Sequence, residues 1–405
     1  MKQKILITIV LATLLLGVLN LTFFLSLNLE STLMTKERIV TMVILLDFNT
    51  MEYDSFHNWF QGLETNYTFV LLHWESLNST QINWLQSQAE LIPCISRSQI
   101  YNTAVRASKT DTLLNNWNAT FGSYPKGIFS FQPDTYLVNY TNTNYGVEYW
   151  QGYCFDQYVI DRFTERGGWQ LPYYAREDHV LVPNNVSGGV VIYPHLTWDW
   201  IDSFTLDHEY STHPLQRLVD DNDISTYVLN LITTTLDTTD PFGYATFMFE
   251  YGWVESKNKL WIAEGIIKGL TSDLKIQILT LEDCNNWFTS TYTTTPTYRV
   301  KFTSPNSGKS IEWYYSTSYR VARADSQVVS FIDYENQESE IYLTETANIN
   351  TEELETIAND IDNSLTFIID ALGGAGNRAP IKTSGVQYSP SKDLADFPTY
   401  YYSNR

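Results

Sequence analysis

From Glu37 onward, continuous apolar runs of β-branched and aromatic residues take turns with polar stretches of helical period. RIVTMVILLDF precedes DSFHNWFQGL, TFVLLHW precedes STQINWLQSQ, and LIPCI precedes a long helical stretch from SQIYNTAV to NNWNA. GIFSF, VEYWQGY, VVIYP, YATFMFE and LKIQILTL continue the series, separated by helical segments such as PLQRLVDDN, ISTYVLNLITTTL and KLWIAEGIIKGL. Strands that are apolar at every position, not every second one, mark a parallel sheet covered on both faces. Strand followed by helix is the pattern of βαβ units. About eight such strands over about 250 residues match the size of a (β/α) barrel. The pattern therefore predicts an α/β fold, a seven- or eight-stranded parallel barrel over residues 36–291. A doubly wound open sheet is the runner-up, without any GxGxxG or P-loop string to support a nucleotide site.

After about Thr291 the texture changes. TYRVKF, SIEWYYSTSYRVA, QVVSFIDY and EIYLT are rich in Tyr, Val and Thr and separated by turns such as SPNSGK, with no helical pattern between them. A small antiparallel β unit is predicted over residues 292–347. Residues 348–405 read as a helix capped by Asn350 with Glu353 three residues on, followed by an irregular tail. The apolar face of that helix is Leu354, Ile357, Ile361, Leu365, Ile368 and Leu372, and Gly373 and Gly374 end it.

At the other end, Ile5 to Leu27 is an apolar run broken only by Thr, Ser, one Gly and one Asn. It is long enough to cross a bilayer, exceeds the core of a cleaved signal peptide and has no A-x-A pattern after it. Lys2 and Lys4 before the run, with Asn28 and Glu30 after it, predict an uncleaved signal anchor over residues 1–35 with the N-terminus cytoplasmic and the bulk of the chain extracellular. A long cleaved signal peptide is the alternative, and both place the chain from Lys36 on outside the cytoplasm. The sequons at Asn66, Asn78, Asn118, Asn139 and Asn185 agree with a glycoprotein.

Of the 405 residues, 46 are acidic and 25 are Lys or Arg, a formal charge of −21 that excludes nucleic acid and an anionic membrane surface as long-range electrostatic partners. Three cysteines, Cys94, Cys154 and Cys284, permit at most one internal disulfide and form no disulfide framework.

In a parallel barrel the reactive groups lie at the carboxyl ends of the strands, where the loops converge. Those positions hold Asp47, His73 with Glu75, Gln132 with Asp134, Asp156 with Gln157, His179, His195 with Asp199, and Glu250. For each residue taken singly a structural role competes: Asp134 as a helix N-cap, Asp47 and Asp156 as loop caps, His73 as a packing residue beside Trp74. HEYSTH spaces its histidines five apart instead of four, so on a helix they diverge by about 140° and a zinc-protease site is rejected. GKS at Gly308 to Ser310 lies in a predicted hairpin without the upstream glycine of a phosphate loop.

The strings YPKGIFSFQPDTYLVNY, GVEYWQGYCFDQYVID, GGWQLPYYAREDHVLVP and VVIYPHLTWDW, with FGYATFMFE later, resemble a membrane-anchored family of barrel proteins of undetermined activity in the glycoside hydrolase/deacetylase superfamily. The resemblance implies a deformed (β/α) barrel, often seven-stranded, acting on carbohydrate. Its closest matches are Gln157, Tyr158 and Asp161 of FDQYVID, Pro172, Tyr173 and Tyr174 of LPYYA, and His179. Polysaccharide deacetylases of the superfamily carry a TFDDG-like first strand and an H-x-x-x-H pair. Here the first strand ends LLDFNT and no H-x-x-x-H occurs, so neither a metal nor another cofactor is expected.

The leading expectation is an extracellular, membrane-tethered carbohydrate-active protein, a glycoside hydrolase in which two carboxyl groups flank the scissile bond. Glu250 is the first choice as acid or nucleophile and Asp156 its partner, with Asp47 and Asp199 as further catalytic candidates. His73, Gln132, Gln157, His179 and His195 are candidate substrate-binding groups. Trp150, Trp169, Trp198 and Trp200 offer flat faces for sugar rings, unless they pack in the core. The alternatives are a non-catalytic glycan-binding barrel and an atypical polysaccharide deacetylase.

Overall fold

RIVTMVILLD forms β1 (Arg38–Asp47), buried at every position but its two ends, and the other strands are laid beside it. The computed structural model describes residues 36–63, 65–95, 105–130, 135–152, 169–200, 224–305, 308–324, 327–334, 386–390 and 398–402. β2 (Thr68–Leu72) pairs with β1 in parallel on one side and β10 (Gly243–Glu250) on the other, while β3 (Glu90–Pro93) lies beyond β2. A second parallel set comprises β4 (Gly127–Phe129), β5 (Tyr149–Gly152) and β8 (Val191–Pro194). The parallel bridge Cys94–Phe129 joins the two sets, giving the side-by-side order β10-β1-β2-β3-β4-β5-β8.

All eight apolar runs are strands, and the α/β class with a parallel sheet is as predicted. The eighth, β11 (Gln277–Leu279), pairs with Ile39 to Thr41 of β1. Among the described residues no ladder joins β8 to β10. Two hydrogen bonds cross there, from Thr197 N to the Thr246 carbonyl (3.0 Å) and from Thr246 N to Thr197 Oγ1 (2.8 Å).

The helices among the described residues are α1 (Tyr53–Phe60), α2 (Ser79–Gln88), α3 (Arg106–Phe121), α4 (Thr135–Tyr145), α5 (Ile224–Thr238), α6 (Tyr251–Ser256), α7 (Leu260–Ser272) and α8 (Leu281–Thr291). The sequon residue Asn78 caps α2 in a capping box with Gln81. Side chains of β1 divide by parity. Val40, Met42, Ile44 and Leu46 pack with Phe56 and Leu85 of the helices, whereas Ile39, Val43 and Leu45 face an inner core. That division explains the unbroken apolar runs: both faces of the strand are buried.

The sequence order departs from strict strand–helix alternation at LPYYAREDHVLVP. β6 (Tyr173–Arg176) and β7 (His179–Pro183) form an antiparallel hairpin, and β6 pairs antiparallel with β8. The two residues between them are far too few for a parallel crossover, which needs a dozen or more.

The predicted antiparallel unit is present as β12 (Tyr298–Thr303), β13 (Ser310–Tyr315), β14 (Tyr319–Ala324) and β15 (Gln327–Asp333), extended by β9 (Thr239–Asp240) in the order β15-β14-β13-β12-β9. Its Val300, Phe302, Trp313 and Tyr315 join the inner core that β1 faces. GKS sits in the β12–β13 hairpin as expected, with Gly308 at φ +68°. β16 (Val386–Pro390) and β17 (Pro398–Tyr402) pair as a hairpin where an irregular tail was expected, because VQYSP and PTYYY are β-formers. The capped helix from Asn350 and the apolar run Ile5 to Leu27 lie outside the described residues. Among those described, no helix is long and apolar enough to cross a membrane.

At the amino ends of the strands, Glu90 gathers four elements. It accepts hydrogen bonds from Thr68 Oγ1 of β2 (2.6 Å), from the Glu282 N–H of α8 (3.0 Å) and from the Tyr149 hydroxyl of β5. Thr68 Oγ1 in turn accepts from Leu281 N (2.9 Å). Burial pushes the Glu90 carboxyl up to about 7, outweighing the hydrogen bonds that favour its charge. Gly127 is required beside it, since a Cβ there would lie 1.9 Å from the Tyr149 ring.

Candidate functional site

Strand register sets one layer of side chains at the carboxyl edge. Asp47 is level with Leu72, Leu71 with Pro93, Cys94 with Phe129, Phe129 with Gln151, and Gln151 with Tyr193. Asp47 shares the inward parity of Val43 and Leu45, Cys94 that of Ile92, and Gln151 that of Tyr149, whose ring meets Tyr193. Glu250 lies opposite Leu45, two residues short of Asp47, and has the inward parity of Tyr244 and Met248.

With neighbouring strands about 4.8 Å apart and a two-residue offset of about 6.6 Å, the Asp47 and Glu250 Cα atoms are about 8 Å apart. The loops that follow them touch: a Cβ on Gly252 would sit 3.3 Å from Met51 Cβ and from Thr50 Oγ1. Burial first, then the charges of Glu250 and Asp47, push the Cys94 thiol up, which places all three groups within electrostatic reach.

Asp47 Oδ1 accepts from His73 Nδ1 (2.7 Å) and from Asn49 N (3.0 Å), leaving Oδ2 for a substrate or water. His73 directly follows β2, where regular strand geometry would turn its side chain outward with Phe69 and Leu71. Its backbone instead adopts the left-handed region (φ 55°, ψ 36°), and the ring meets Asp47. A left-handed non-glycine residue costs about 1 kcal/mol, a strain that recurs at functional positions. The pair faces solvent, with the His73 side chain 51% and that of Asp47 24% exposed. Glu250 is exposed and stands at the N-cap of α6.

The other predicted residues divide three ways. Gln132, Asp134, Asp156, Gln157, Tyr158 and Asp161 lie outside the described residues. His195 is buried behind the edge, its ring 5.6 Å from Phe129. The remainder are corrected by the structure. Asp199 is fully buried and its Oδ2 accepts from Ser304 Oγ (2.8 Å) and Tyr227 OH (3.2 Å), a structural tie with no access for substrate. His179 opens the antiparallel strand β7 and is buried, not poised at the end of a parallel strand.

Trp150, Trp169, Trp198 and Trp200 are fully buried and present no face to a sugar. Trp150 Nε1 donates to Thr141 Oγ1 (3.3 Å) and Trp169 Nε1 to the Tyr334 hydroxyl (3.0 Å). The LPYYA residues are likewise core: Tyr173 OH donates to Val180 O (2.9 Å) and the Pro172 carbonyl accepts from Tyr298 OH (2.7 Å). Large rings gain most by burial, and loop proximity in sequence carries no information on direction.

Sequence reasoning passed over Gln151 and Cys94. The only sign of Gln151 was one polar residue inside an aromatic strand, VEYWQGY. Among the described residues no three His, Cys, Asp or Glu side chains converge to hold a metal.

No family profile matches the chain, nor does any curated protein. Its structure is similar to that of a probable polysaccharide deacetylase from Pseudomonas aeruginosa, at 10% identity and a TM-score of 0.44, covering 63% of this chain and 92% of that one. An allantoinase matches at 12% identity and TM-score 0.44, over 65% and 94% of the two chains. A polysaccharide deacetylase from Bacillus cereus matches at 10% and 0.32, over 60% and 92%.

Proposed function

We propose that the carboxyl edge is a hydrolytic site for carbohydrate, with Asp47 and Glu250 as its carboxylate pair. The observation that supports this is their meeting on adjacent parallel strands, inward in parity and open to solvent, from positions about 200 residues apart in the chain. A Cα separation of about 8 Å is compatible with the roughly 5 to 9.5 Å between carboxyl groups that flank a glycosidic bond. Asp47, oriented by His73 and Asn49 through Oδ1, presents Oδ2 as base or nucleophile. Glu250 delivers the proton to the leaving oxygen. Asp156, the partner expected from the sequence, lies outside the described residues, and Asp47 takes that role in this proposal.

A second reading is favoured by one contact, the Asp47–His73 hydrogen bond. A carboxylate that orients an imidazole is the arrangement of a general base, and water activated by His73 would attack an acetyl group instead of a glycosidic carbon. The two reactions give different products. Incubating the full chain with a panel of neutral glycans and acetylated sugars, and measuring reducing ends and acetate separately, tells them apart. Release of neither leaves a glycan-binding scaffold as the surviving alternative. The apolar run Ile5 to Leu27 and the sequons support a membrane-tethered, extracellular setting for this chemistry, which accessibility of the chain to protease on intact cells would test.

A further inference from the structure

The sequons at Asn66, Asn78, Asn118, Asn139 and Asn185 are alike in sequence, but the fold treats their side chains differently. What separates them is the direction of Nδ2, the atom that would carry a sugar. Asn66 Nδ2 donates to the Ile278 carbonyl of β11 (2.8 Å), and Asn139 Nδ2 donates to the Glu177 carbonyl in the turn between β6 and β7. Both nitrogens are aimed at main chain, so a sugar joined to either would displace that contact or crowd the segment that makes it. Asn118 is half-buried in the last turn of α3, beside the buried Trp117.

At Asn78 the helix cap sets the direction. Its Oδ1 accepts from Thr80 N (3.0 Å) and Gln81 N (3.1 Å), and a flipped amide would set its NH2 group against two N–H donors. With Oδ1 turned into α2, Nδ2 on the other arm of the amide points away from the helix, and Asn78, Ser79 and Thr80 are all exposed. At Asn185 the preceding residue takes the inward role. Asn184 is buried, its N–H donates to the Tyr174 carbonyl (2.7 Å), and its Oδ1 accepts from Val186 N (3.1 Å). Gly188 N donates to the Thr293 carbonyl (2.9 Å). The loop is therefore pinned on both sides, and the residues between the pins, Asn185, Val186 and Ser187, are exposed, Val186 at 59%.

We infer that Asn78 and Asn185 are the N-glycosylation sites of the folded protein and that Asn66, Asn118 and Asn139 stay unmodified. This rests on the extracellular setting proposed above and adds which residues are modified and where. The donor is an oligosaccharide joined through diphosphate to a lipid carrier. Nδ2 bonds to the sugar C1 as the C1–O bond to the diphosphate breaks; the electron pair leaves with the diphosphate, and a base of the transferase takes the Nδ2 proton. Oδ1 is not consumed, so the α2 cap survives the modification. Transfer precedes folding, and the sorting lies in which glycosylated chains can still fold. The two sites fall at opposite ends of the sheet. Asn78 follows His73 by five residues on the carboxyl edge, whereas the Asn185 loop leads into the amino end of β8. A glycan on Asn78 flanks the candidate site, and one on Asn185 lies clear of it.

The test expresses the full chain in a host that attaches N-linked glycans, releases them from the folded protein with peptide N-glycanase in heavy-oxygen water, and maps each sequon by mass spectrometry, because release leaves a labelled Asp. Label is expected at Asn78 and Asn185 and at none of the other three. Asn78→Asp removes the acceptor nitrogen and keeps the cap, which Asp serves as well as Asn does; Asn185→Asp removes the acceptor in the loop. Each variant is expected to lose one step of glycan-dependent gel shift with its circular dichroism unchanged, and the double variant to run with the enzymatically stripped wild type. Label at Asn66, Asn118 or Asn139 overturns the inference. So does a chain unlabelled at Asn78 or Asn185 that protease nevertheless reaches on intact cells. If no sequon is labelled and protease does not reach the chain, the extracellular setting falls together with the inference.

Discussion

Replacing Glu90 by Gln isolates the contribution of one half-buried carboxyl to the stability of the parallel sheet. Its folded value is about 7 against an ordinary 4.5, and each unit is worth about 1.4 kcal/mol, giving a total of about 3 kcal/mol. Because the folded value is raised, this stabilisation is fully present below about pH 4.5 and is lost as pH climbs through about 7. Most of the loss, about 2 to 3 kcal/mol, falls between about pH 5 and pH 8. Glutamine preserves the neutral form at all pH: its oxygen serves Thr68 and the Glu282 N–H, and its amide turns toward the Tyr149 hydroxyl. Urea unfolding of both proteins across that range gives the difference directly, and groups common to the two cancel. The variant is expected to gain about 2 to 3 kcal/mol on the wild type from acid to alkaline pH. Parallel stability curves would refute the reasoning, since Glu90 would then titrate alike in the folded and unfolded chain.

Two further outcomes follow from the core. Trp169→Ala is expected to cost about 3 to 5 kcal/mol by chemical denaturation, because the ring is fully buried and contacts Tyr173 and Tyr315; a substitution that leaves stability intact while weakening glycan binding would restore Trp169 as a sugar platform. Cys94 and Cys284 are both buried free thiols raised by burial, so neither is expected to react with a thiol reagent in the native chain and both should react in denaturant, as mass spectrometry of labelled peptides would show.

The parallel sheet was legible because its signal is local: RIVTMVILLD, TFVLL and GYATFMFE are apolar at every position, as burial on both faces demands. The β6–β7 hairpin was not, since YYAR and HVLVP are as apolar as a parallel strand. Only the two-residue link between them excludes a crossover. Asp47, His73 and Glu250 were legible as ends of apolar runs. Their partners were not, because pairing depends on register between strands far apart in sequence and, at His73, on a left-handed backbone that no composition signals. The tryptophans misled for a related reason. A Trp near a strand end can be exposed or packed, and here Trp150, Trp169, Trp198 and Trp200 are all fully buried. Gln151 shows the converse, a polar residue hidden in an apolar strand, where its amide donates to the Pro194 and His195 carbonyls.

The most direct test of the carboxyl-edge site is the rate of reducing-end release from neutral oligosaccharides by the wild type, Asp47→Asn and Glu250→Gln, with melting temperature measured alongside. Both side chains reach solvent, so each variant should remain folded, with stability changed by less than about 1 kcal/mol. Release is expected in the wild type and a fall of at least about a hundredfold in each variant. Wild-type release that persists undiminished in both folded variants would contradict the assignment of Asp47 and Glu250.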